Sequence, residues 1–214
     1  MYISRRLTTR SNEMQNKIMT TDKWLKILVV YRKPCCNLDK VVQLVGNCGT
    51  YTHCELYCPA MLYQGKLGWT FTNFSFYNME VTQTSLQEYR NQPHLFDAHE
   101  ILISSEEHKK LLQWNLDLMY HKCPYNYSGL MLHLIPNFMA AAISPDNKDQ
   151  HCTPKKLYCA QAVILALLHG LGPEHRISKS LLKINIHLCK PQTINKNLSM
   201  LLGAPTKIKQ FAVI

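Results

Sequence analysis

The stretch Leu157-Tyr-Cys-Ala-Gln-Ala-Val-Ile-Leu-Ala-Leu-Leu168 decides the fold class. From Ala160 to Leu168 every residue except Gln161 is apolar. A surface helix carries one apolar stripe and a polar remainder, so a helix with no polar face is sheathed by other elements on nearly all sides. Thr153-Pro154 lies just upstream, and proline suits the first turn of a helix. The helix is therefore expected to open there and to run through Leu168.

What surrounds it is read from the earlier chain. Trp24-Leu-Lys-Ile-Leu-Val-Val-Tyr31 has the length and β-branched content of a buried strand. Asn37 then caps a short helix with Leu38, Val41, Val42 and Val45 on one face and Gly46 closing it. In Thr52-His-Cys-Glu-Leu-Tyr-Cys58, closed by Pro59, the two-residue period of a strand puts His53, Glu55 and Tyr57 on one side. Cys54, Leu56 and Cys58 take the other. Leu67 to Tyr77 is aromatic and β-rich, and its apolar phase shifts between Phe71 and Phe74, so a bulge is expected near Asn73. His99 to Ile103 reads as another strand. Ser104 and Glu107 form a capping box for a helix expected to bury Leu112, Leu116, Met119 and Tyr120 before Pro124 stops it. Leu130 to Ile143 is apolar but holds Pro136, which gives two short helices or one kinked helix. A last helix is expected over Thr193–Leu202. These elements make an α+β chain with no internal repeat.

Length and charge narrow the function. The chain has 214 residues, 46% of them hydrophobic and only 18% charged, enough for one domain with a real core and unlike a disordered polymer. No run reaches the ~18 apolar residues of a membrane-spanning helix. Residues 1–22, with Arg5, Arg6 and Arg10, show no periodicity and read as a flexible basic arm ahead of a domain over 23–214. The net charge is +10, but the basic residues are dispersed, and neither a helix-turn-helix pattern nor a correctly spaced zinc finger occurs. No specific nucleic-acid partner is expected. Nine cysteines, at 35, 36, 48, 54, 58, 123, 152, 159 and 189, are odd in number and irregular in spacing. That fits a reducing compartment, so the expected location is cytoplasmic.

Two residues carry candidate chemistry. Cys159 lies in the first turns of the buried helix, where the positive end of the dipole and the unpaired N–H groups favour a thiolate. His53, on its strand, is a candidate base that would activate the sulfur, and a third group would hold its imidazole in the useful tautomer. Glu55 faces the same way as His53 and is one candidate for that group; Thr70 and Thr72 on the following strand are others.

The segments Tyr51-Thr-His-Cys-Glu-Leu-Tyr57, Pro124-Tyr-Asn-Tyr-Ser-Gly-Leu130 and Leu157-Tyr-Cys-Ala-Gln-Ala162 resemble the NlpC/P60 superfamily of papain-like cysteine hydrolases. Ordinary members run from a Tyr-rich element through the nucleophilic Cys to a strand His. Here the His comes first, so the resemblance is to the circularly permuted branch. That branch includes bacterial hydrolases of the YaeF/YiiX type, lecithin:retinol acyltransferase-like proteins, and proteins of poxviruses and other large DNA viruses. The likeness covers roughly residues 24–170. It implies a permuted papain-like fold, with an antiparallel sheet packed against the helix that carries the Cys. It also implies Cys159 as nucleophile, His53 as base and a polar third residue, for which Glu55 is the choice. Tyr125 or Tyr127 would line the oxyanion or substrate site. No metal or organic cofactor is implied, and the partner is a peptide, amide or acyl substrate. The chain departs from the pattern at Ala160-Gln161, where many relatives have Ser-Glu or Ser-Gly, and at Ser128-Gly129 in place of Gly-Gly. Both departures leave the substrate class open.

Three rivals stand beside this expectation. Cys48, His53, Cys54 and Cys58 are ligand types for zinc, but strand alternation turns His53 away from the two later thiols. The apolar Leu130–Ile143 and the basic charge would suit an anionic membrane surface, making the enzyme a lipid acyltransferase or lipid-amide hydrolase. The third rival is a catalytically inactive papain-like binding module. No P-loop, dinucleotide-binding glycine pattern, G-x-S-x-G or H-E-x-x-H occurs.

Overall fold

The computed structural model describes residues 24–45, 49–59, 69–74, 81–82, 89, 91–120, 126 and 157–208. The basic arm, Leu130–Ile143, Tyr125, Tyr127 and Cys48 lie outside the described residues.

Strand β1 (Leu25–Arg32) is the spine of the molecule. Its apolar run is unbroken because both faces are covered, Ile27, Val29 and Tyr31 by one layer and Leu28 and Val30 by another. It pairs antiparallel with β2 (His53–Pro59), in a register from Leu28 opposite Tyr57 to Arg32 opposite His53. On its other edge it pairs with β5 (Phe96–Ile103), from Leu25 opposite Ile103 to Arg32 opposite Phe96. Strand β3 (Trp69–Phe74) joins β2, and the two-residue strands β4 (Val81–Thr82) and β6 (Thr206–Lys207) close the flanks. The order is β4-β3-β2-β1-β5-β6, antiparallel at every pairing. The described ladder between β2 and β3 runs evenly from Pro59–Trp69 to Leu56–Thr72 and stops one residue short of Asn73.

Among the described residues five helices accompany the sheet: α1 (Asn37–Val45), α2 (Ser105–Tyr120), α3 (Cys159–Leu171), α4 (Arg176–Leu181) and α5 (Pro191–Leu202). Helices α2 to α5 pack on the face of Ile27, Val29, Tyr31, Cys54, Leu56 and Cys58. Helix α3 is the centre of that layer, with eleven of its thirteen residues buried. Each fully buried Val, Leu or Ile is worth roughly 1.5–3 kcal/mol over leaving it exposed, so this helix is the most firmly anchored in the described fold. Gly170 lets α2 approach it, since a β-carbon there would lie 2.8 Å from Leu111 Cδ1. The opposite sheet face carries a small second cluster of Leu28, Val30, Tyr57, Tyr89, Ala98 and Ile208. No helix among the described residues is long and apolar enough to cross a membrane.

Three local expectations are corrected. Helix α3 begins at Cys159, not at Thr153-Pro154, because Tyr158 is extended (φ −110°, ψ 168°) and Gln161 accepts its N–H at 3.2 Å. Proline permits a helix start but does not impose one. Helix α2 begins with the expected capping box, Glu107 accepting from the Ser104 N–H at 2.7 Å and hydroxyl at 2.8 Å while Ser104 Oγ accepts the Glu107 N–H at 3.2 Å. Among its described side chains His108, Leu111, Trp114, Asn115 and Leu118 are buried and Leu112 is only half-buried, while those of Leu116, Met119 and Tyr120 lie outside the described residues. Two of the buried residues are polar and so escape an apolar count. In α1, Val41 and Leu44 are exposed and Asp39 is buried, while the side chains of Leu38, Val42 and Val45 lie outside the described residues.

Candidate active site

Strand β2 starts at His53, and its alternation places His53 and Glu55 together as the sequence pattern requires. Both are buried. His53 Nε2 lies 3.2 Å from Glu55 Oε1, and the second carboxylate oxygen accepts the hydroxyl of Tyr89. A buried carboxylate is costly unless its lone pairs are satisfied, and here both oxygens are engaged. Thr70 and Thr72, the other candidates for a third group, pair in register with Cys58 and Leu56, one residue out of phase with Glu55.

Cys159 arrives from the other layer. The chain before it is tied at Leu157, whose carbonyl accepts Asn126 N–H at 2.8 Å, and at Tyr158, whose hydroxyl donates to Ile186 O at 3.1 Å. Helix α3 therefore starts at the sulfur-bearing residue, with the unpaired N–H groups of its first turn around it. The charge of the sulfur is felt by the His53 ring and by Cys54. Helix α3 packs against β2, and the described β3 ladder ends at Leu56.

The electrostatics follow from these contacts. The Cys54 thiol, the charge and hydrogen bond of His53 and the Cys54 N–H hold Cys159 well below an ordinary thiol, against the opposing effect of burial. Burial alone would lower His53, but Cys159 and then Glu55 outweigh it and raise the imidazole to about 10. Cys54, buried and facing a neighbouring anion, is pushed well up. These influences favour a thiolate on Cys159 beside a protonated His53, with Glu55 3.2 Å behind the imidazole.

The structure brings together His53, Glu55 and Cys159. Tyr125 and Tyr127 lie outside the described residues. Two participants were missed from sequence. Cys54 was assigned by alternation to the far face, and Tyr89 stands in no motif that marks it. Among the described residues, the one group of three ligand types with atoms mutually within 4.8 Å is Cys35, Cys36 and Asp39. Asp39 there already accepts from the Cys35 N–H and thiol, both at 3.1 Å, and faces Arg32 Nη2 at 3.4 Å. The group reads as an ion-paired turn leading into α1.

No protein-family model, curated protein or solved structure matches the chain. The chemistry of the site therefore rests on its own geometry. A preformed thiolate beside a protonated base is the ground state of a thiol nucleophile that attacks an acyl carbon and then delivers a proton to the leaving group.

Proposed function

We propose that this chain is a papain-like thiol hydrolase of the circularly permuted NlpC/P60 type, acting on an amide or peptide bond. One observation carries the reading: the first residue of a buried helix puts its sulfur against a strand histidine that a buried carboxylate holds from behind. The Cys159 thiolate attacks the carbonyl carbon, and its charge passes to the carbonyl oxygen in a tetrahedral intermediate. N–H groups at the start of α3 are the donors that would face that oxyanion. His53 gives its proton to the departing amine, leaving an acyl-enzyme. Neutral His53 then takes a proton from water or from a second acceptor, which releases the acyl group. Glu55 holds Nε2, so Nδ1 is the nitrogen that serves the sulfur.

The test is residue-resolved alkylation as a function of pH. Wild-type Cys159 is expected to react well below the ~8.5 of an ordinary thiol, and His53→Ala is expected to slow it and restore an ordinary profile. Turnover of peptide, amide and vesicle-borne lipid substrates, lost in Cys159→Ala, then separates amide hydrolysis from lipid acyl transfer. A Cys159 that alkylates like the other thiols overturns the enzyme reading and leaves the inactive binding module.

A further inference from the structure

A groove of about 670 Å³ lies between the end of β1, helix α1 and the start of α5, lined by Lys33, Pro34, Lys40, Gln43, Gly49, Thr50 and Gln192. Its walls lead to the candidate site from two directions. Lys33 follows Arg32, which pairs with His53 in the sheet register. Thr50 precedes His53 by three residues, so at most about 11 Å of chain separates them. Gln192 follows Cys189 by three residues, and the Cys189 sulfur lies 3.5 Å from the hydroxyl of Tyr158, the chain neighbour of Cys159. The Gly49-Thr50 turn is gripped from both helices: Gln43 Nε2 donates to the Gly49 carbonyl, and Gln192 Oε1 accepts the Thr50 N–H at 3.2 Å. Gly49 has φ +71°, and a β-carbon there would lie 2.8 Å from Gln192 Cγ, so this close approach needs glycine.

The lining is polar and positive. Among the described lining residues Pro34 alone is apolar, a poor seat for an acyl chain. Gln192 has used its amide oxygen and keeps an N–H group to offer, while Gln43 has used an N–H and keeps its oxygen. A peptide backbone presents the complement of both. Lys33 and Lys207 share the one carboxylate of Asp97, at 2.7 and 2.9 Å, and Asp39 faces Arg32 at 3.4 Å. Lys40 is exposed, and among the described residues no carboxylate pairs with it. We propose that this groove is a substrate subsite that receives an acidic side chain of a peptide. Lys40 supplies the principal counter-charge, and Gln43 and Gln192 hold the peptide backbone. An extended peptide advances ~3.3 Å per residue, so the acidic residue falls about three positions from the scissile bond. The inference rests on the peptide-bond hydrolysis proposed above and gives it a selectivity.

The test uses capped alanine-based peptides carrying Glu, Gln or Lys at one position in turn. They are titrated into full-length Cys159→Ala while the Gly49 and Thr50 amide signals are followed by NMR. The same peptides are tested as protectors of wild-type Cys159 against iodoacetamide. A Glu peptide is expected to bind about 2–5-fold tighter than its Gln counterpart, the range of an exposed ion pair, and to slow Cys159 alkylation. Added salt is expected to weaken that preference. Lys40→Gln is expected to abolish the preference, and Lys40→Glu to reverse it in favour of the Lys peptide. Lys40 is exposed, so both variants are expected to keep the fold, which circular dichroism checks. The subsite is overturned if no peptide shifts the two amides, or if Glu, Gln and Lys peptides bind alike. It is overturned equally if Glu binding leaves Cys159 unprotected, or if phosphatidylserine vesicles shift those amides where peptides do not. The pH profile of Cys159 alkylation without peptide reports the proposed function separately. An acid-shifted Cys159 with no charge preference in the groove therefore refutes only the subsite.

Discussion

Replacing Glu55 with glutamine removes one charge from the site and little else. The glutamine carbonyl can still accept from His53 Nε2, and its amide can face the oxygen of Tyr89, so shape and hydrogen-bond count are conserved. Two unit charges 3.2 Å apart interact by about 5 kcal/mol at an effective dielectric of ~20. At ~1.36 kcal/mol per pKa unit this is nearly four units, an upper bound for a pair that keeps some solvent and a hydrogen bond. A neighbouring opposite charge shifts a titrating group by about 1–3 units in practice. With wild-type His53 at about 10, its alkaline limb in Glu55→Gln is expected to fall to roughly 7–9. A two-unit fall takes the imidazolium at pH 9 from about nine-tenths to about one-tenth populated, which is a ~10-fold loss of the ion pair. The sign is fixed by the chemistry: the active pair forms as pH rises through the lowered Cys159 value and is lost as pH rises through that of His53. The assay is NMR titration of the His53 ring beside the pH profile of Cys159 alkylation. An alkaline limb that moves by less than about half a unit in the variant would show that the carboxylate does not act on His53, and the argument for Glu55 as third residue would fail.

Other outcomes follow from the same contacts. Tyr89→Phe strands one oxygen of a buried carboxylate and is expected to cost about 1–3 kcal/mol in urea denaturation; unchanged stability would mean the Tyr89–Glu55 bond is not made in solution. Gly170→Ala places a β-carbon 2.8 Å from Leu111 Cδ1 and is expected to destabilise by about 1–3 kcal/mol. Combining it with Leu111→Ala should then cost less than the two single changes added together, and simple additivity would refute the clash. Asp97 is raised by burial but held below the ordinary carboxylate range by Lys33, Lys207 and Tyr51. Its stabilisation is therefore present above about pH 4 and lost as pH falls through its lowered value. Asp97→Asn is expected to be less stable at neutral pH and to flatten the acid side of the stability profile, and an unaltered slope there would contradict it.

Legibility followed a simple rule: what depends on one element's period could be read, and what depends on two elements meeting could not. The continuous run of β1 marks a strand covered on both faces, and the alternation of His53 and Glu55 along β2 survives intact. The apolar sheath of α3 was plain from Ala160 to Leu168, but its first residue was set by Tyr158 adopting extended backbone, which no upstream proline encodes. On α2 an apolar count passes over His108 and Asn115, which are buried, and picks Leu112, which is only half-buried. Cys54 illustrates the harder limit. Period two assigns it correctly to the α3 side of the sheet, yet both it and His53, on opposite faces of β2, act on Cys159. Tyr89 reaches Glu55 from 34 residues away, and strands as short as β4 and β6 carry no period at all.

Ile208 lies against Tyr57 and Tyr89 on the face that holds Glu55, and beside it Lys207 is bound to Asp97 at 2.9 Å. As the chain leaves the ribosome, His53, Glu55 and Tyr89 emerge first, the sulfur of Cys159 follows 70 residues after Tyr89, and Ile208 comes last of these. Contacts so distant along the chain close late, because the entropy of the intervening loop must be overcome before they form. Until they do, Cys159 is a common thiol, mostly protonated at neutral pH at its ordinary value of ~8.5. On the proposed reading, a nascent or truncated chain thus carries the residues of the site without its reactivity, which would arise only after Cys159 has been made and has reached His53.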